Sequence, residues 1–235
     1  MRLDRYLVEK GLVESREKAK RLIAEGKVRV GGRVVTKPAH PVPEGAAVEL
    51  LEEERYVGRG AYKLLGALEA FPIALAGKVA ADLGASTGGF TQVLLERGAR
   101  RVYAVDVGRG QLHPSLRQDP RVVALEEEDA RTVELPERVD LLIMDLAFIS
   151  ATQVLPRVRK LLKEGGEALV LVKPQYELWP GAHQGVVREE ALRREALRRV
   201  RERAEALGFG VLGEAESPLP GKEGNREYWL WLRAP

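Results

Sequence analysis

Short apolar runs alternate with longer amphipathic segments along most of the chain after residue 60. Five runs have the pattern of buried strands, at residues 79–83, 101–105, 122–125, 141–144 and 168–172. Segments whose apolar residues recur at helical spacing lie around them, at residues 64–70, 90–96, 152–162 and 189–207. Two further strands, at residues 214–218 and 228–232, are expected to pair as a hairpin. This alternation predicts a doubly wound α/β domain with a mostly parallel, Rossmann-like sheet.

The first fifty residues have a different pattern, in which two short amphipathic helices precede alternating strands. Leu3 and Leu7 lie on the first helix, which closes at Gly11. Ser15 is the expected N-cap of a second helix that ends near residue 24. A Gly-Gly turn within alternating residues 27–35 predicts a hairpin, and residues 46–50 supply another strand. These elements predict a small α+β unit.

Composition is compatible with two folded units in one chain. The 235 residues, of which 45% are hydrophobic, can bury a core of ordinary size and a smaller one. We predict a small domain at residues 1–54, a linker at residues 55–58 and the α/β domain at residues 59–235. No apolar run is long enough to cross a bilayer and the start lacks the apolar stretch of a signal peptide, so we expect a cytoplasmic protein.

Metal chemistry has little support in the sequence. The chain has no cysteine and only three scattered histidines, His40, His113 and His183, so we expect no metal site. The formal net charge of +3 is mild and does not by itself require a nucleic-acid partner.

A glycine-rich turn joins the strand at residues 79–83 to the next helix. Gly84 allows a sharp turn, and Gly88 and Gly89 leave backbone N–H groups uncovered where the helix begins. The dinucleotide fingerprint G-x-G-x-x-G is not satisfied, because Ser86 occupies its second glycine position, and no phosphate-loop motif is present. Asp106 ends the next strand, where a carboxylate can accept both ribose hydroxyls of an adenosine. The combination suits S-adenosylmethionine; the alternative is an ordinary βα turn with an exposed aspartate.

Charged groups also end the later strands, at the edge where open α/β sheets bind ligands. Asp145 and Lys173 each follow an apolar strand, and Asp129 is placed to accept from an adenine amino group. Lys63, just before a helix, and Glu227, opening the last strand, complete a set of two lysines and two carboxylates. Taken singly, each is as readily an ordinary exposed charge. The candidate cofactor-binding residues are Asp82, Gly84, Ser86, Thr87, Gly88, Gly89, Phe90, Asp106, Asp129 and Asp145.

Cations are concentrated on the two short helices and the hairpin of the first domain. Such a localised basic surface is typical of proteins that contact RNA phosphates. The alternative is a solvated charged helix face, since Glu14, Glu17 and Glu25 are interspersed. The candidate RNA-binding residues are Arg5, Arg16, Lys18, Lys20, Arg21, Lys27 and Arg29.

The opening segment resembles the S4 family of RNA-binding modules, with matches that include Arg2-Leu3-Asp4, Ser15-Arg16, Gly26-Lys27-Val28 and Lys37-Pro38. The rest resembles the TlyA family, sometimes labelled hemolysin A, whose larger domain is similar to FtsJ-type ribose methyltransferases. The motifs that carry this resemblance are RGAYKL (59–64), DLGASTGGFT (82–91), VDVGRGQL (105–112), DLAFIS (145–150), VKPQ (172–175) and GNRE (224–227). One departure lies at the domain junction, where RYVG (55–58) stands in place of the Arg-x-Trp-Val of some members.

The resemblance implies an S-adenosylmethionine-dependent 2′-O-methyltransferase that acts on a cytidine ribose in ribosomal RNA, with the large subunit favoured. The family's Lys-Asp-Lys-Glu tetrad maps onto Lys63, Asp145, Lys173 and Glu227. A ribose hydroxyl is a poor nucleophile, so Lys173 is the candidate base for its proton. That role requires the protonated lysine to be disfavoured, and the sequence leaves open whether a second lysine or the carboxylates dominate. In this hypothesis Lys63 positions the ribose or an adjacent phosphate, Asp145 lies between cofactor and lysine, and Glu227 orients the basic groups.

Two other classes of function stay open at this point. A non-catalytic RNA-binding or ribosome-assembly factor could share the fold, although it has little need for all four tetrad residues. A membrane-active hemolysin should carry a spanning or strongly amphipathic segment, and packing against the sheet explains the basic helix at residues 188–207 better. The expected partners are therefore ribosomal RNA or ribosomal subunits, and no motif indicates an oligomeric state.

Overall fold

The computed structural model describes residues 1–51, 55–178 and 185–235. Residues 52–54 of the predicted boundary and His183 lie outside the described residues. The chain divides into two units, Met1–Arg55 and Tyr56–Pro235.

The first unit is built from two helices and a three-stranded antiparallel sheet with the strand order β2-β1-β3. Its elements are helices α1 (Leu3–Glu9) and α2 (Arg16–Ala24) and strands β1 (Val28–Val30), β2 (Arg33–Val34) and β3 (Val48–Leu50). The Ser15 hydroxyl accepts the Lys18 N–H at 3.2 Å, so the predicted N-cap is confirmed. Leu3, Leu7 and Ile23 are fully buried in one cluster. The apolar positions of the two helices therefore form the core of this unit.

The second unit alternates strands and helices. Its strands are β4 (Val79–Leu83), β5 (Arg101–Val105), β6 (Val122–Leu125), β7 (Val139–Met144), β8 (Leu162–Val172), β9 (Gly210–Glu216) and β10 (Tyr228–Arg233). Its helices are α3 (Gly60–Ala70), α4 (Gly89–Glu96), α5 (Pro114–Arg117), α6 (Leu155–Leu161), α7 (Pro174–Leu178) and α8 (Glu190–Ala206), and a 3-10 turn at Ala151–Gln153 precedes α6. The predicted doubly wound α/β architecture is confirmed.

The seven strands lie in the order β6-β5-β4-β7-β8-β10-β9. Strands β4 to β8 run parallel, and β10 runs antiparallel to both β8 and β9, so the predicted terminal hairpin is confirmed. Alternate residues of β7 pack on opposite faces, Leu142 in one apolar cluster and Ile143 in the other. The connections run outward in opposite directions from β4 and β7. This is the topological switch point at which open α/β sheets bind ligands.

Two helical predictions were wrong in their boundaries. Helix α3 begins at Gly60 rather than at residue 64, so Lys63 lies in its first turn and not before it. The single helix predicted at residues 152–162 is a 3-10 turn followed by α6, whose second residue is Pro156. A proline lacks the N–H that a continuous helix would need at this position.

Two strand predictions were also displaced. Strand β8 begins at Leu162 rather than at residue 168. The first half was missed because it contains Gly165 and Gly166 and lacks an apolar run. Strand β9 covers Gly210–Glu216 rather than residues 214–218. It lies at the edge of the sheet and has no fully buried residue, so its apolar pattern is weak.

Helix α8 carries the basic amphipathic pattern noted in the sequence. Val200 and Ala204 are fully buried in the same cluster as residues of β7 and β8. The apolar stripe of this helix therefore packs against the sheet, as predicted. Within the described ranges, no helix combines the length and the apolar character needed to cross a membrane.

Candidate active site

Sheet pairing brings the ends of several strands to one edge. The last residues of β4, β5 and β7 are in register, so the residues that follow them, Gly84, Asp106 and Asp145, lie side by side. The last residue of β8 pairs with the first residue of β10, which places Lys173 beside Glu227. This edge is the carboxyl edge at the switch point of the sheet.

Two lysine–carboxylate pairs occupy the edge. The Lys173 Nζ lies 2.5 Å from an Asp145 carboxylate oxygen, and the Lys63 Nζ donates to the Glu227 carboxylate at 2.6 Å. All four side chains are shielded, with exposed fractions between 2% and 21%. The Trp229 Nε1–H donates to the Lys63 carbonyl at 2.9 Å and ties α3 to β10. The fold thus brings together four residues that lie far apart in the sequence.

The carboxylates decide the charge of Lys173. Burial lowers the pKa of Lys173, but the charges of Asp145 and Glu227 and the hydrogen bond to Asp145 raise it, and the net pKa lies above the ordinary lysine value. The question that the sequence left open is therefore answered in favour of the carboxylates. In the free protein Lys173 is an ammonium group at neutral pH, and it must release a proton before it can accept one.

The glycine loop between β4 and α4 is held by its neighbours. Gly84 has a φ of +85°, and a Cβ at this position would lie 2.0 Å from the Asp145 carbonyl oxygen, so only glycine fits. The Asp106 carboxylate accepts the Ser86 N–H and the Gly108 N–H, each at 2.8 Å. Ser86 itself adopts the left-handed region, with a φ of 51°. Asp106 therefore fixes the loop and, because each oxygen accepts only one of these bonds, keeps acceptor sites free.

Within the candidate cofactor set, exposure separates the residues that can line a ligand from those that shape the loop. Ser86 and Thr87 are exposed, whereas Gly88, Gly89 and Phe90 are buried. The Phe90 ring packs against Trp229 with a centroid distance of 5.6 Å. The Phe90 side chain is therefore part of the core and does not line the site.

Asp82 is likewise enclosed, with no exposed surface. One carboxyl oxygen accepts the Thr91 hydroxyl at 2.8 Å, and the other has no hydrogen-bond partner in the parts of the chain that the structure describes. Burial, joined by the charges of Asp145 and Asp106 and opposed by the Thr91 hydrogen bond, raises the pKa of Asp82 to about 7. The Asp82 side chain therefore has no surface at which a ligand could contact it, and its hydrogen bond with Thr91 joins β4 to α4 beneath the glycine loop.

Asp129 has a partner that the sequence did not indicate. Its carboxylate accepts hydrogen bonds from the Arg131 guanidinium, at 2.6 to 3.2 Å, and from the Arg131 N–H at 2.8 Å. The side-chain and backbone hydrogen bonds of Arg131 lower the pKa of Asp129 to about 2. An adenine amino group would have to share or displace these bonds to reach the carboxylate.

An exposed aromatic residue lies beside the tetrad. Phe148 stands three residues after Asp145 with a φ of +64°, and 65% of its surface is exposed. Its ring lies 5.3 Å from that of Tyr176, which belongs to α7 directly after Lys173. Left-handed backbone is rare for a bulky residue and is concentrated at functional sites. Phe148 could not be recognised as a site residue from the apolar pattern, because a φ value leaves no mark on that pattern.

A second residue of α7 was also missed. The Glu177 carboxylate accepts the Ser150 hydroxyl at 2.5 Å and the Ala151 N–H at 2.7 Å. Burial raises the pKa of Glu177 above the ordinary value despite these hydrogen bonds. Glu177 lies four residues after Lys173, so the VKPQ motif was the available signal, but it ends two residues too early.

The candidate RNA-binding cations of the first unit lie on or beside α1, α2 and β1. Arg5 forms a local ion pair with Glu9 at 2.8 Å, and Lys27 forms one with Glu25 at 3.1 Å. Arg16 donates to the fully buried Asp4 at 3.2 Å and is about half exposed. The surface is thus basic, with some of its charge balanced locally.

The described part of the chain contains no group of three or more His, Cys, Asp or Glu side chains placed to hold a metal ion.

Comparison with known proteins agrees with this geometry. Residues 56–234 match the FtsJ-like methyltransferases, and residues 1–48 match the S4 domain. The chain is 49% identical to the 16S/23S rRNA (cytidine-2′-O)-methyltransferase TlyA of Mycobacterium tuberculosis, over 99% of this chain and 89% of the relative. It is 33% identical to the 23S rRNA (cytidine-2′-O)-methyltransferase TlyA of Campylobacter jejuni, over 98% of both chains. A solved structure named for a hemolysin of Streptococcus thermophilus superposes with a TM-score of 0.77 at 38% identity, covering 100% of this chain and 88% of that chain. The chain therefore belongs to the TlyA family of methyltransferases, in which an S4 domain precedes an FtsJ-like domain.

Proposed function

We propose that this protein transfers a methyl group from S-adenosylmethionine to the 2′-oxygen of a cytidine ribose in ribosomal RNA. The observation that carries the proposal is the meeting of the pairs Lys173–Asp145 and Lys63–Glu227 beside the glycine loop. The names of the two methyltransferase relatives support the reaction and the target.

The residues of the edge fit S-adenosylmethionine. Asp106 keeps acceptor sites for ribose hydroxyls, and the exposed Ser86–Thr87 segment lies between Asp106 and the tetrad along the edge. Asp145 offers a negative charge beside the loop, where it complements a sulfonium. When bound, S-adenosylmethionine supplies a methyl group that is already activated for attack.

The four residues of the tetrad then accept the proton of the 2′-hydroxyl and orient the ribose. Lys173 first releases a proton to solvent, and the neutral amine then takes the proton of the 2′-hydroxyl as the oxygen attacks. Asp145 holds the Lys173 amino group in place, and Glu227 does the same for Lys63, which positions the ribose or an adjacent phosphate. Phe148 offers a ring on which the target base can stack. Because the methyl group is activated, much of the acceleration comes from alignment.

The first unit supplies affinity for RNA. Its cations contact phosphates, and shape rather than base sequence is the expected readout. Both methyltransferase relatives are named for 23S rRNA and one also for 16S rRNA, so we favour the large subunit as the substrate. A ribosomal substrate places the protein in the cytoplasm.

The proposal is tested with tritiated S-adenosylmethionine and ribosomal subunits from a strain that lacks this protein. Labelled ribose is mapped by its resistance to alkali and by mass spectrometry of RNA fragments. We expect label at a cytidine 2′-oxygen, lost with Lys173→Ala while cofactor affinity stays within about threefold of wild type. Lys163→Ala is the matched control, because Lys163 pairs with Asp140 at the opposite edge of the sheet, and it should methylate normally.

Either of two results would reject the proposal. Absence of label on subunits and free RNA, despite measurable cofactor binding, would favour a non-catalytic RNA-binding factor. Label on a base rather than a ribose would keep the enzyme but reject the 2′-hydroxyl as the acceptor. Near-normal turnover by Lys173→Ala would remove only Lys173 from the mechanism.

A further inference from the structure

Residues 145–150 form the loop that follows β7. The sheet fixes this loop at Asp145, and α7 fixes it at Ser150. Glu177 on α7 accepts the Ser150 hydroxyl at 2.5 Å and the Ala151 N–H at 2.7 Å. Between these ends, the Phe148 ring packs against Tyr176 of the same helix. Helix α7 starts directly after Lys173, and the Tyr176 N–H donates to the Lys173 carbonyl at 3.0 Å. One short helix thus contacts the loop after Asp145 twice and also continues from Lys173.

The direction of these hydrogen bonds is fixed by chemistry. An ionised carboxylate can only accept hydrogen bonds, so the Ser150 hydroxyl is the donor in its hydrogen bond with Glu177. The same hydroxyl oxygen accepts the Thr152 N–H at 3.1 Å and caps the 3-10 turn that follows. Glu177 therefore holds both the last residue of the loop and the first residue of the next element.

Stability alone does not account for a carboxylate at this position. Burial raises the pKa of Glu177, which means that ionised Glu177 costs free energy in the folded protein. A neutral side chain of similar size avoids that cost. Groups with shifted pKa values that lie beside a catalytic edge are candidates for function.

We propose that Glu177 is a positioning residue for methyl transfer. It fixes residues 145–150 against α7, and so keeps the Asp145 carboxylate on Lys173 and the Phe148 ring beside the tetrad. Glu177 touches no reacting atom in this scheme, so its loss lowers turnover and leaves cofactor affinity nearly unchanged. This role rests on the proposed function, because turnover can be measured only if the protein methylates RNA. Amide hydrogen exchange tests the position of the loop without any activity.

The test compares Glu177→Ala, Glu177→Gln and Ser150→Ala with the control Val79→Ala. Val79 is fully buried at the first residue of β4, at the opposite edge of the sheet from Asp145, so its truncation lowers the melting temperature without removing a contact of Glu177. We measure kcat and KM on ribosomal subunits, the Kd for S-adenosylmethionine by calorimetry, the melting temperature, and amide hydrogen exchange over residues 145–151.

We expect Glu177→Ala to lower kcat about 30- to 100-fold, as displacement of about 1 Å does elsewhere, with the cofactor Kd within about threefold of wild type. Ser150→Ala should lower kcat by a smaller factor than Glu177→Ala. Glu177→Gln should have an intermediate kcat, because its amide oxygen still accepts the Ala151 N–H but its NH2 group cannot accept the Ser150 hydroxyl. Exchange at Ala151 should accelerate in Glu177→Ala, and Val79→Ala should keep wild-type kcat.

Three results would overturn the inference. These are a kcat of Glu177→Ala within about threefold of wild type, an equal loss of kcat in Val79→Ala at a matched drop in melting temperature, and unchanged exchange over residues 145–151. A wild-type protein that labels no ribose would refute the proposed function instead, and the exchange measurement would still decide whether Glu177 holds the loop.

Discussion

Replacing Gly84 by alanine tests how tightly the glycine loop is held against the end of β7. The added Cβ would lie 2.0 Å from the Asp145 carbonyl oxygen and 3.1 Å from Leu146 Cδ2. Backbone cannot rotate out of the way as a flexible side chain can, so the two strand ends must separate by roughly 1 Å or more. Because the Asp145 side chain meets Lys173 at 2.5 Å, this separation disturbs the tetrad as well as the loop.

The magnitude has two parts that a control variant separates. Alanine in left-handed backbone costs about 1–2 kcal/mol, and overpacking adds about 1–3 kcal/mol. Gly77 has a φ of +75° and open space where its Cβ would stand, so Gly77→Ala carries only the first part. For a domain of this size we expect a fall in melting temperature of about 2–8 °C for Gly77→Ala and about 4–20 °C for Gly84→Ala.

The assay is thermal unfolding together with cofactor affinity and turnover. We expect Gly84→Ala to weaken S-adenosylmethionine binding and to lower kcat by about 100-fold, and Gly77→Ala to leave both within about threefold. The reasoning fails if Gly84→Ala melts within 2 °C of Gly77→Ala and keeps wild-type turnover, because the Asp145 peptide would then be free to move.

Three further predictions follow from the site and the basic surface. For Asp82, the folded pKa of about 7 lies above the ordinary aspartate value of 3.8, so its contribution to stability is complete below pH 3.8 and is lost as the pH rises through 7; the melting temperature of wild type relative to Asp82→Asn should fall over this window and then level off. Phe148→Ala should raise KM for RNA or lower kcat by about 10- to 100-fold while Phe148→Tyr stays near wild type, since stacking is worth about 1–3 kcal/mol per base; equal activity of the two variants would exclude stacking. Lys18→Ala, Lys20→Ala and Arg29→Ala combined should weaken RNA binding and reduce the slope of log K against log salt by about 2–3, and an unchanged slope would place the phosphate contacts elsewhere.

The parallel sheet could be predicted because its strands are buried on both faces. Such strands appear as nearly continuous apolar runs, and the inner strands β4 and β5 were placed with their observed ends. The edge strand β6 was also placed correctly, because all four of its residues are apolar although most are only partly buried. The edge strand β9 and the glycine-containing start of β8 lack that run, so their boundaries were displaced. Helix α7 has five residues, too few for helical periodicity to be read from the sequence.

The site residues also differ in how far the local sequence could predict their positions. Gly84, Asp106 and Asp145 could be placed together because each ends a recognisable parallel strand. Lys63 and Glu227, 164 positions apart, were both candidate residues, but their direct hydrogen bond could not be predicted from the local pattern. The ring of Phe90, the saturation of Asp129 by Arg131 and the hydrogen bonds of Glu177 depend on tertiary packing, on which the local pattern carries no information.

The charge balance of the tetrad has a consequence for the base. Because the pKa of Lys173 lies above the ordinary lysine value, only a small fraction of Lys173 is neutral near pH 8, and forming the neutral amine costs free energy. A lysine can still serve as the base, because an enzyme stabilises its transition state by far more than the deprotonation of one lysine requires. The same carboxylates that raise the pKa of Lys173 also hold its amino group in place, so weakening the Asp145 contact lowers the cost and loses the alignment together. The geometry therefore favours an enzyme that relies on the orientation of Lys173, even though little of this lysine is in the neutral form. Any change that frees Lys173 from Asp145 should lower turnover, although it makes the ammonium group easier to deprotonate.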